Sequence, residues 1–410
     1  MTYDIVIIGG GAAGIATAAS ILKRNAQVSI AVVDPAQDHY YQPGWTLVGA
    51  GVFTPEQTRK AEADVMPKGV EWIRLPAIAI DPERRAITLG DGDTIAYRVQ
   101  IVAPGLRLAW EKIAGLPEAL GRNGVTSNYR YDLAPYTCQL VQELQRGRAL
   151  FSQPPMPIKC AGARQKAMYL SCDIWRDHGV LPAIDVEFHN AGPALFGVAT
   201  YVPALMEYVG KYGIDLRLES NLVAVDADRR IATFEHKRDG VSERVEREFD
   251  MLHVVPPQVS HDVVAKSPLA AANGFVEVDE ATLRHKRYDD VFALGDAAGT
   301  SNAKTAAAAR KQAPVVAVNA LAALDGKAPV ADYDGYGSCP LTVERGKIVL
   351  AEFGYGGKLL PSFPSWLLNG TRPTRAAWFL KERMLPPIYW QGMLKGHEWM
   401  AAPHEIGKAA

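Results

Sequence analysis

Residues 4–14 read DIVIIGGGAAG. DIVII is an apolar run of strand length, and the IATAASILKR that follows carries apolar residues at helical spacing. Strand, GxGxxG loop (Gly9, Gly11, Gly14) and helix follow one another without a gap. The glycines let the backbone close on a pyrophosphate. The helix N-terminus, at Ala12 and Ala13, adds partial positive charge. VSIAVVD then predicts a second strand ending in Asp34, 20 residues after Gly14, placed to accept hydrogen bonds from a ribose diol. A lone GxGxxG is a weak signal. The strand before it, the helix after it and an acid at this distance make it a specific one.

The bulk properties are those of a soluble multidomain chain. At 410 residues it is too long for one ordinary core, and 48% hydrophobic with 22% charged residues is an ordinary globular balance. A formal net charge of −1 gives no reason to expect nucleic acid as a partner. MTYDIVIIGGG lacks the basic n-region and cleavage site of a signal peptide, and no apolar run reaches the ~20 residues that cross a bilayer. Four cysteines in a chain this long do not make a disulfide scaffold and point to a reducing compartment. No metal site is expected.

The other end of the chain identifies the dinucleotide. DVFALGD (290–296) predicts a strand ending in Gly295 and Asp296, and AAGTSNAKTAAAARKQ leads through Lys304 into an Ala-rich helix. This resembles the second flavin motif of flavoproteins with two dinucleotide-binding domains. The resemblance implies that Asp296 holds the ribityl chain. It also implies that the helix dipole and Lys304 stabilise negative charge on reduced FAD.

An internal repeat implies two such halves. Residues 69–105 and 213–257 both read strand, a turn (DPERR or DADRR), strand, charged hairpin, strand, then a proline stop. The first strand–helix junction of the second half falls at PIKCAGARQK (157–166), where a phosphate loop belongs, and Cys160 stands there instead. The other glycine candidate, NAGPALFG (190–197), lacks GxGxxG, so NAD(P)H is not the expected electron donor. Cys160 precedes a helix expected over 163–178, with Lys159, Arg164 and Lys166 nearby, a setting that favours thiolate. Cys172 shares a helical stripe with Met168 and Trp175 and reads as core, and Cys138 also reads as a core-facing helix residue. Cys339, in YDGYGSCPLT, reads as lying in a turn-rich loop. Whether it meets Cys160 does not follow from spacing.

At this point a wider resemblance appears. DHYYQPGWTLVGAG, VEWI, PIKCAGARQKAMYL, MLHVVPP, GDAAGTSNAKTAAA, DGYGSCPL and VLAEFGY together resemble the sulfide:quinone oxidoreductases of the mitochondrial-like type II, over nearly the whole chain. The resemblance implies an α/β fold of two Rossmann-like domains with β-meander insertions and a C-terminal helical, membrane-facing segment. Expected boundaries are 1–112 with 288–326 for the FAD domain, 113–287 for the second domain and 327–410 for the C-terminal region.

It also implies a resting bridge between Cys160 and Cys339 that hydrogen sulfide attacks, leaving the persulfide on Cys339. Cys160 is assigned the adduct with flavin C4a. A small acceptor (a thiol, sulfite or sulfide) takes the sulfane sulfur, and a membrane quinone takes the electrons. The type I branch has a further cysteine upstream of Cys160. GVTSNYRYD stands there, so covalent flavin attachment is not expected. By motif, Gln42 should reach the cofactor near Asp34, and Ala77 should run beside the adenine. Ala103 and Gly105 flank Pro104 where relatives carry an Ala-Thr-Gly turn.

The quinone side is sought in residues 359–400, which hold Trp366, Trp378, Trp390 and Trp399, half of the chain's 8 tryptophans, among Arg372, Arg375, Lys381, Arg383 and Lys395. PPIYW interrupts the helical pattern and offers an apolar slot, giving Tyr389 and Trp390, with Phe353, as quinone contacts. Aromatics with basic flanks suit the surface of one leaflet. A helix pair packed on the protein or on a partner subunit is the alternative reading of this pattern, and a homo-oligomer stays open. The expected location is peripheral, on the cytoplasmic face of a bacterial inner membrane. Two other functions stay open: a flavocytochrome-type sulfide dehydrogenase with a haem subunit as acceptor, and a non-catalytic flavin–thiol sulfide sensor.

Overall fold

The computed structural model describes residues 2–160, 162–238 and 241–407. Ala161 of the thiol loop lies outside the described residues.

The chain folds around two parallel sheets. In the first, β1 (Thr2–Ile8) leads into α1 (Ala12–Arg24) and returns as β2 (Ile30–Val33), parallel to β1. β3 (Val70–Ile73) extends the sheet beyond β2. β4 (Ala77–Asp81), β5 (Ala86–Leu89) and β6 (Thr94–Val102) form an antiparallel meander whose last strand runs back into the sheet parallel to β1. β1 and β2 are apolar on both faces: Ile5, Ile7 and Val32 pack on α1, Val316 and Ala317, and Val6, Ile8 and Val33 pack on the meander residues Ile80 and Ile87 and on Leu269 and Val276.

The second sheet repeats this plan. β7 (Val125–Thr126), α2 (Ala134–Glu143) and β8 (Gly147–Gln153) lead into α3 (Ala163–Asp177), then β9 (Ile184–Asn190), α4 (Val202–Tyr212) and β10 (Asp215–Leu218). A three-stranded meander follows, β11 (Ser220–Asp226), β12 (Ile231–Arg238) and β13 (Val241–Glu248), and β14 (Met251–His253) returns between β7 and β8. The two repeat turns match in detail: Arg85 and Arg230 both end their turns at a φ of 52°.

The chain then re-enters the first sheet as β15 (Val291–Ala293), parallel to β6, and continues into α5 (Ala306–Leu324), which packs on α1. An antiparallel hairpin, β16 (Gly337–Glu344) with β17 (Lys347–Phe353), lays Leu341, Val343, Val349 and Ala351 against the core around α3. Cys339 is therefore on a strand, not in the turn-rich loop expected. The turn residues stop at Tyr336, and from Gly337 to Thr342 each residue pairs with β17.

The C-terminal segment departs from expectation twice. PPIYW does not break the helical run, which continues from Arg375 to Gly392 through two wide π-type stretches, Leu380–Met384 and Ile388–Gly392. Wide turns accommodate Pro386 and Pro387, which lack the N–H a regular helix would use. Tyr389, Trp390, Met393 and Leu394 are buried in the same core as Ile5 and Ile7, so this part of the tail completes the first domain. Trp366, Leu367, Phe379, Met384 and Trp399 remain exposed. Among the described residues no helix is long and apolar enough to cross a membrane.

Candidate active site

The dinucleotide cradle is built from contacts that only glycine allows. Gly9 has a φ of +102°, and a Cβ there would stand 2.4 Å from the carbonyl oxygen of Ala103; one on Gly14 would stand 1.9 Å from the carbonyl oxygen of Gly9. Strand, loop and helix thus touch backbone to backbone. Gly11 differs: a Cβ on it would meet nothing within 4 Å, so this part of the loop faces open space. α1 starts there with no acidic residue in its first turn and no side-chain cap, leaving the N–H groups near Ala12 and Ala13 for a ligand. Asp34 accepts hydrogen bonds from the N–H groups of Gly10 and Ala36, which fixes its carboxylate at the end of β2. These residues fit the pyrophosphate and ribose of a flavin dinucleotide.

The other cradle residues distribute as follows. Ala103 is buried beside Gly9, and Gly105 turns the chain at a φ of +76°. Ala77 opens β4, opposite Leu89, just past Ile73, whose carbonyl oxygen accepts the Asp34 N–H. Gly295 and Asp296 sit in the short turn after β15, and burial raises the Asp296 carboxyl against the pull of Lys159 and Lys304. Lys304 is buried, and its Nζ donates to the carbonyl oxygens of Asp296 (2.9 Å) and Ala298 (2.7 Å), bracing that turn from within. Gln42 is exposed, and its Oε1 accepts from Lys159 Nζ at 2.6 Å, so its side chain is tied to the thiol loop.

That loop is docked directly on the flavin-end motif. The N–H of Cys160 donates to the carbonyl oxygen of Lys304 at 2.8 Å. Cys160 holds a φ of 51°, a left-handed conformation uncommon outside glycine and frequent at functional sites. The loop conformation and the hairpin bring Cys160 Sγ and Cys339 Sγ to 3.7 Å. Lys166, one turn into α3 and buried, places Nζ 3.1 Å from Cys160 Sγ. Cys160 is held well below the ordinary thiol range, first by the Cys339 thiol donating to it and then by the Lys166 ammonium. Cys339 is correspondingly pushed up as the donor. With Lys166 Nζ on the Cys160 side, the geometry favours negative charge on Cys160 over Cys339.

Arg164, also buried, turns its Nε to Gln153 Oε1 at 2.6 Å. Another buried cation was not legible in the sequence: Lys381, read there as flanking a lipid surface, reaches inward, with Nζ 3.4 Å from the carbonyl oxygen of Pro43. Burial first, and then the Lys166 charge, push its ammonium down to about 7. No local pattern marks it, because the wide turn at Leu380–Met384 decides which way it points. Cys172 is buried in the core around α3, and burial pushes its thiol up. Cys138 lies on α2 and is half-buried, with its Sγ beside Gly51.

The three expected quinone contacts do not fall in one cluster. Phe353 is half-buried, with its ring 5.9 Å from that of Phe196. Tyr389 and Trp390 pack instead with Tyr41 and His39. Tyr389 OH bonds to His39 Nε2 at 2.7 Å, and His39 Nδ1 lies 3.2 Å from Glu62 Oε2. This buried chain was missed in the sequence, where its members are far apart.

Residues 3–313 match the family model described as pyridine nucleotide-disulphide oxidoreductase. A mitochondrial sulfide:quinone oxidoreductase of Dictyostelium discoideum is 40% identical over 96% of this chain and 86% of its own length. Its counterpart in Mus musculus is 36% identical over 96% and 87%. The solved sulfide:quinone oxidoreductase of Aquifex aeolicus superposes with a TM-score of 0.79 over 99% of both chains, at 18% identity, a likeness of fold.

Proposed function

The chain belongs to the pyridine nucleotide-disulphide oxidoreductase family and, within it, to the sulfide:quinone oxidoreductases, and from that membership we propose that Cys160 and Cys339 are its reacting thiols. The protein is a flavin-dependent oxidoreductase that oxidises sulfide with a quinone as acceptor. The observation that carries the residue assignment is the 3.7 Å approach of the two sulfurs beside Lys166.

In the oxidised enzyme the two cysteines share a disulfide. Hydrosulfide attacks Cys339 Sγ, the Cys160–Cys339 bond breaks, and a new S–S bond leaves Cys339 as the persulfide. Cys160 departs as thiolate, and Lys166 lies where that charge forms. Bound flavin supplies a two-electron sink between this thiolate and the quinone. A nucleophilic acceptor (a thiol, sulfite or sulfide) removes the sulfane sulfur from Cys339. That frees its thiolate to close the bond with Cys160 again as the electron pair leaves.

The flavin is FAD, held without a covalent bond by the Gly9–Gly14 loop, Asp34 and the Gly295–Asp296 turn. The exposed Trp366, Leu367, Phe379 and Met384 sit against one leaflet of a membrane, where quinone is drawn, with the half-buried Phe353 as its contact. The expected setting is the cytoplasmic face of a bacterial inner membrane.

Anaerobic addition of sulfide while following flavin absorbance, then of a short-chain quinone, tests this reading. Sulfide should bleach the flavin in the wild type and not in Cys160→Ser. Full-rate bleaching in Cys160→Ser would remove the thiol assignment.

A further inference from the structure

Two lysines converge on the Gly295–Asp296 turn, and they are placed differently. Lys304 reaches it from within the protein and is 7% exposed. Its Nζ donates to the carbonyl oxygens of Asp296 and Ala298 and stands 4.5 Å from the centre of the Phe275 ring. Two carbonyls and an aromatic face surround this ammonium, so its donors hold the turn and do not face a ligand.

Lys159 approaches the same turn from the thiol loop. Its backbone runs beside Lys304 in a parallel bridge and is pinned on both sides: its N–H donates to Gln258 Oε1 at 2.7 Å, and its carbonyl oxygen accepts from Tyr129 OH at 2.9 Å. Arg164, Lys166, Lys304 and Lys381 are buried, and Lys159 alone of this group of cations is half-buried. Gln42 Oε1, at 2.6 Å, is the one hydrogen-bond partner of its Nζ among the described residues. An ammonium has three N–H donors, so two are left. Asp296 is also half-buried, and its carboxylate accepts no hydrogen bond among the described residues. Burial draws the Lys159 ammonium below the ordinary lysine range, and Asp296 and Cys160 draw it back. An ammonium with donors to spare thus stands within electrostatic reach of a carboxylate with acceptors to spare, and neither is bonded to the other.

We propose that Lys159, rather than Lys304, is the cation that meets the bound flavin and stabilises the negative charge gained on reduction, with Gln42 as its positioning residue. The inference rests on the flavin reading and names the side chain that tunes the cofactor. Two-electron reduction of a flavin at neutral pH brings in one proton and leaves one negative charge, so an ammonium beside it favours the reduced form. Lys159 immediately precedes Cys160, so the loop that presents the thiol also sets how readily the flavin accepts its electron pair.

The test measures the flavin's reduction potential by equilibration with a redox dye. The full-length holoprotein carries Cys160→Ser, so that no disulfide couple contributes. Lys159→Met should shift the dye–flavin equilibrium about tenfold toward oxidised flavin, about 30 mV for a two-electron couple. Lys159→Gln serves the same comparison where Lys159→Met retains no flavin. Lys159→Arg, which keeps the charge, should stay within about twofold of the parent. Lys304→Met should lower flavin retention, because the turn loses its brace, and should shift the equilibrium of the flavin that remains by less than Lys159→Met does. An unchanged equilibrium in Lys159→Met, or an equal shift in Lys159→Arg, would overturn the proposal and leave Lys159 a residue that shapes the loop. A larger shift in Lys304→Met would overturn it in favour of Lys304. Failure of the parent protein to hold flavin at all would instead count against the flavin reading.

Discussion

Cys160 Sγ and Cys339 Sγ lie 3.7 Å apart although 179 residues separate them in the chain. The first is carried by the loop that stands where a second phosphate site would be, the second by a hairpin packed on the helix after that loop. Cys160→Ser and Cys339→Ser should each nearly abolish sulfide-driven turnover while FAD stays bound, measured as quinone reduction against flavin content. Cys138→Ser should leave turnover within about twofold, and Cys172→Ser should cost stability through packing rather than rate.

Lys166 sets the charge state of that pair. After the hydrogen bond from the Cys339 thiol, its ammonium is what lowers the Cys160 thiol below the ordinary thiol range. Lys166→Met removes the lowering influence, and the thiolate titration should move to higher pH. Flavin reduction by sulfide, followed by stopped flow, should slow at neutral pH and recover as pH rises. A deficit independent of pH would mean that Lys166 acts through packing alone.

NADH and NADPH should not bleach the flavin at micromolar concentration, whereas sulfide should. The second half's first strand–helix junction is occupied by Cys160 and by its backbone bond to Lys304, where a dinucleotide donor would need a glycine loop. Anaerobic titration followed by absorbance decides the point, and rapid reduction by NADH would sink it.

Replacing Asp34 or Asp296 with Ala should each lower FAD retention on gel filtration, by about 1–3 kcal/mol for the hydroxyl groups left unpaired. Full occupancy in both variants would remove these residues from the cradle.

Membrane contact is best tested on the surface, not by trimming the tail. Removing residues from about 360 onward would strip Tyr389, Trp390, Met393 and Leu394 from the first domain's core and cost several kcal/mol. The double variant Trp366→Ser/Phe379→Ser touches exposed rings only. It should reduce sedimentation with lipid vesicles several-fold and slow reduction of membrane quinone, with sulfide still reducing the flavin at the normal rate. Unchanged sedimentation would place the membrane contact elsewhere.

The sequence by itself determined whatever is written in neighbouring residues. Gly9, Gly11, Gly14 and Asp34 announce a dinucleotide cradle because strand, turn and helix follow in one short stretch. The two meander repeats are legible because turn chemistry is local, down to the matched Arg85 and Arg230. Cys160 was legible as an activated thiol because a helix start and Lys166 lie within two turns of it.

Only the tertiary structure decided what depends on distant segments meeting. It brought Cys339 onto a strand beside Cys160, turned Lys381 inward, and joined Tyr389, His39 and Glu62. It also sorted the C-terminal aromatics, burying Tyr389 and Trp390 and leaving Trp366 and Phe379 outside. Composition gives every aromatic the same preference for leaving water. Which of them the core receives is set by packing against chain hundreds of residues away, and no local pattern carries that information.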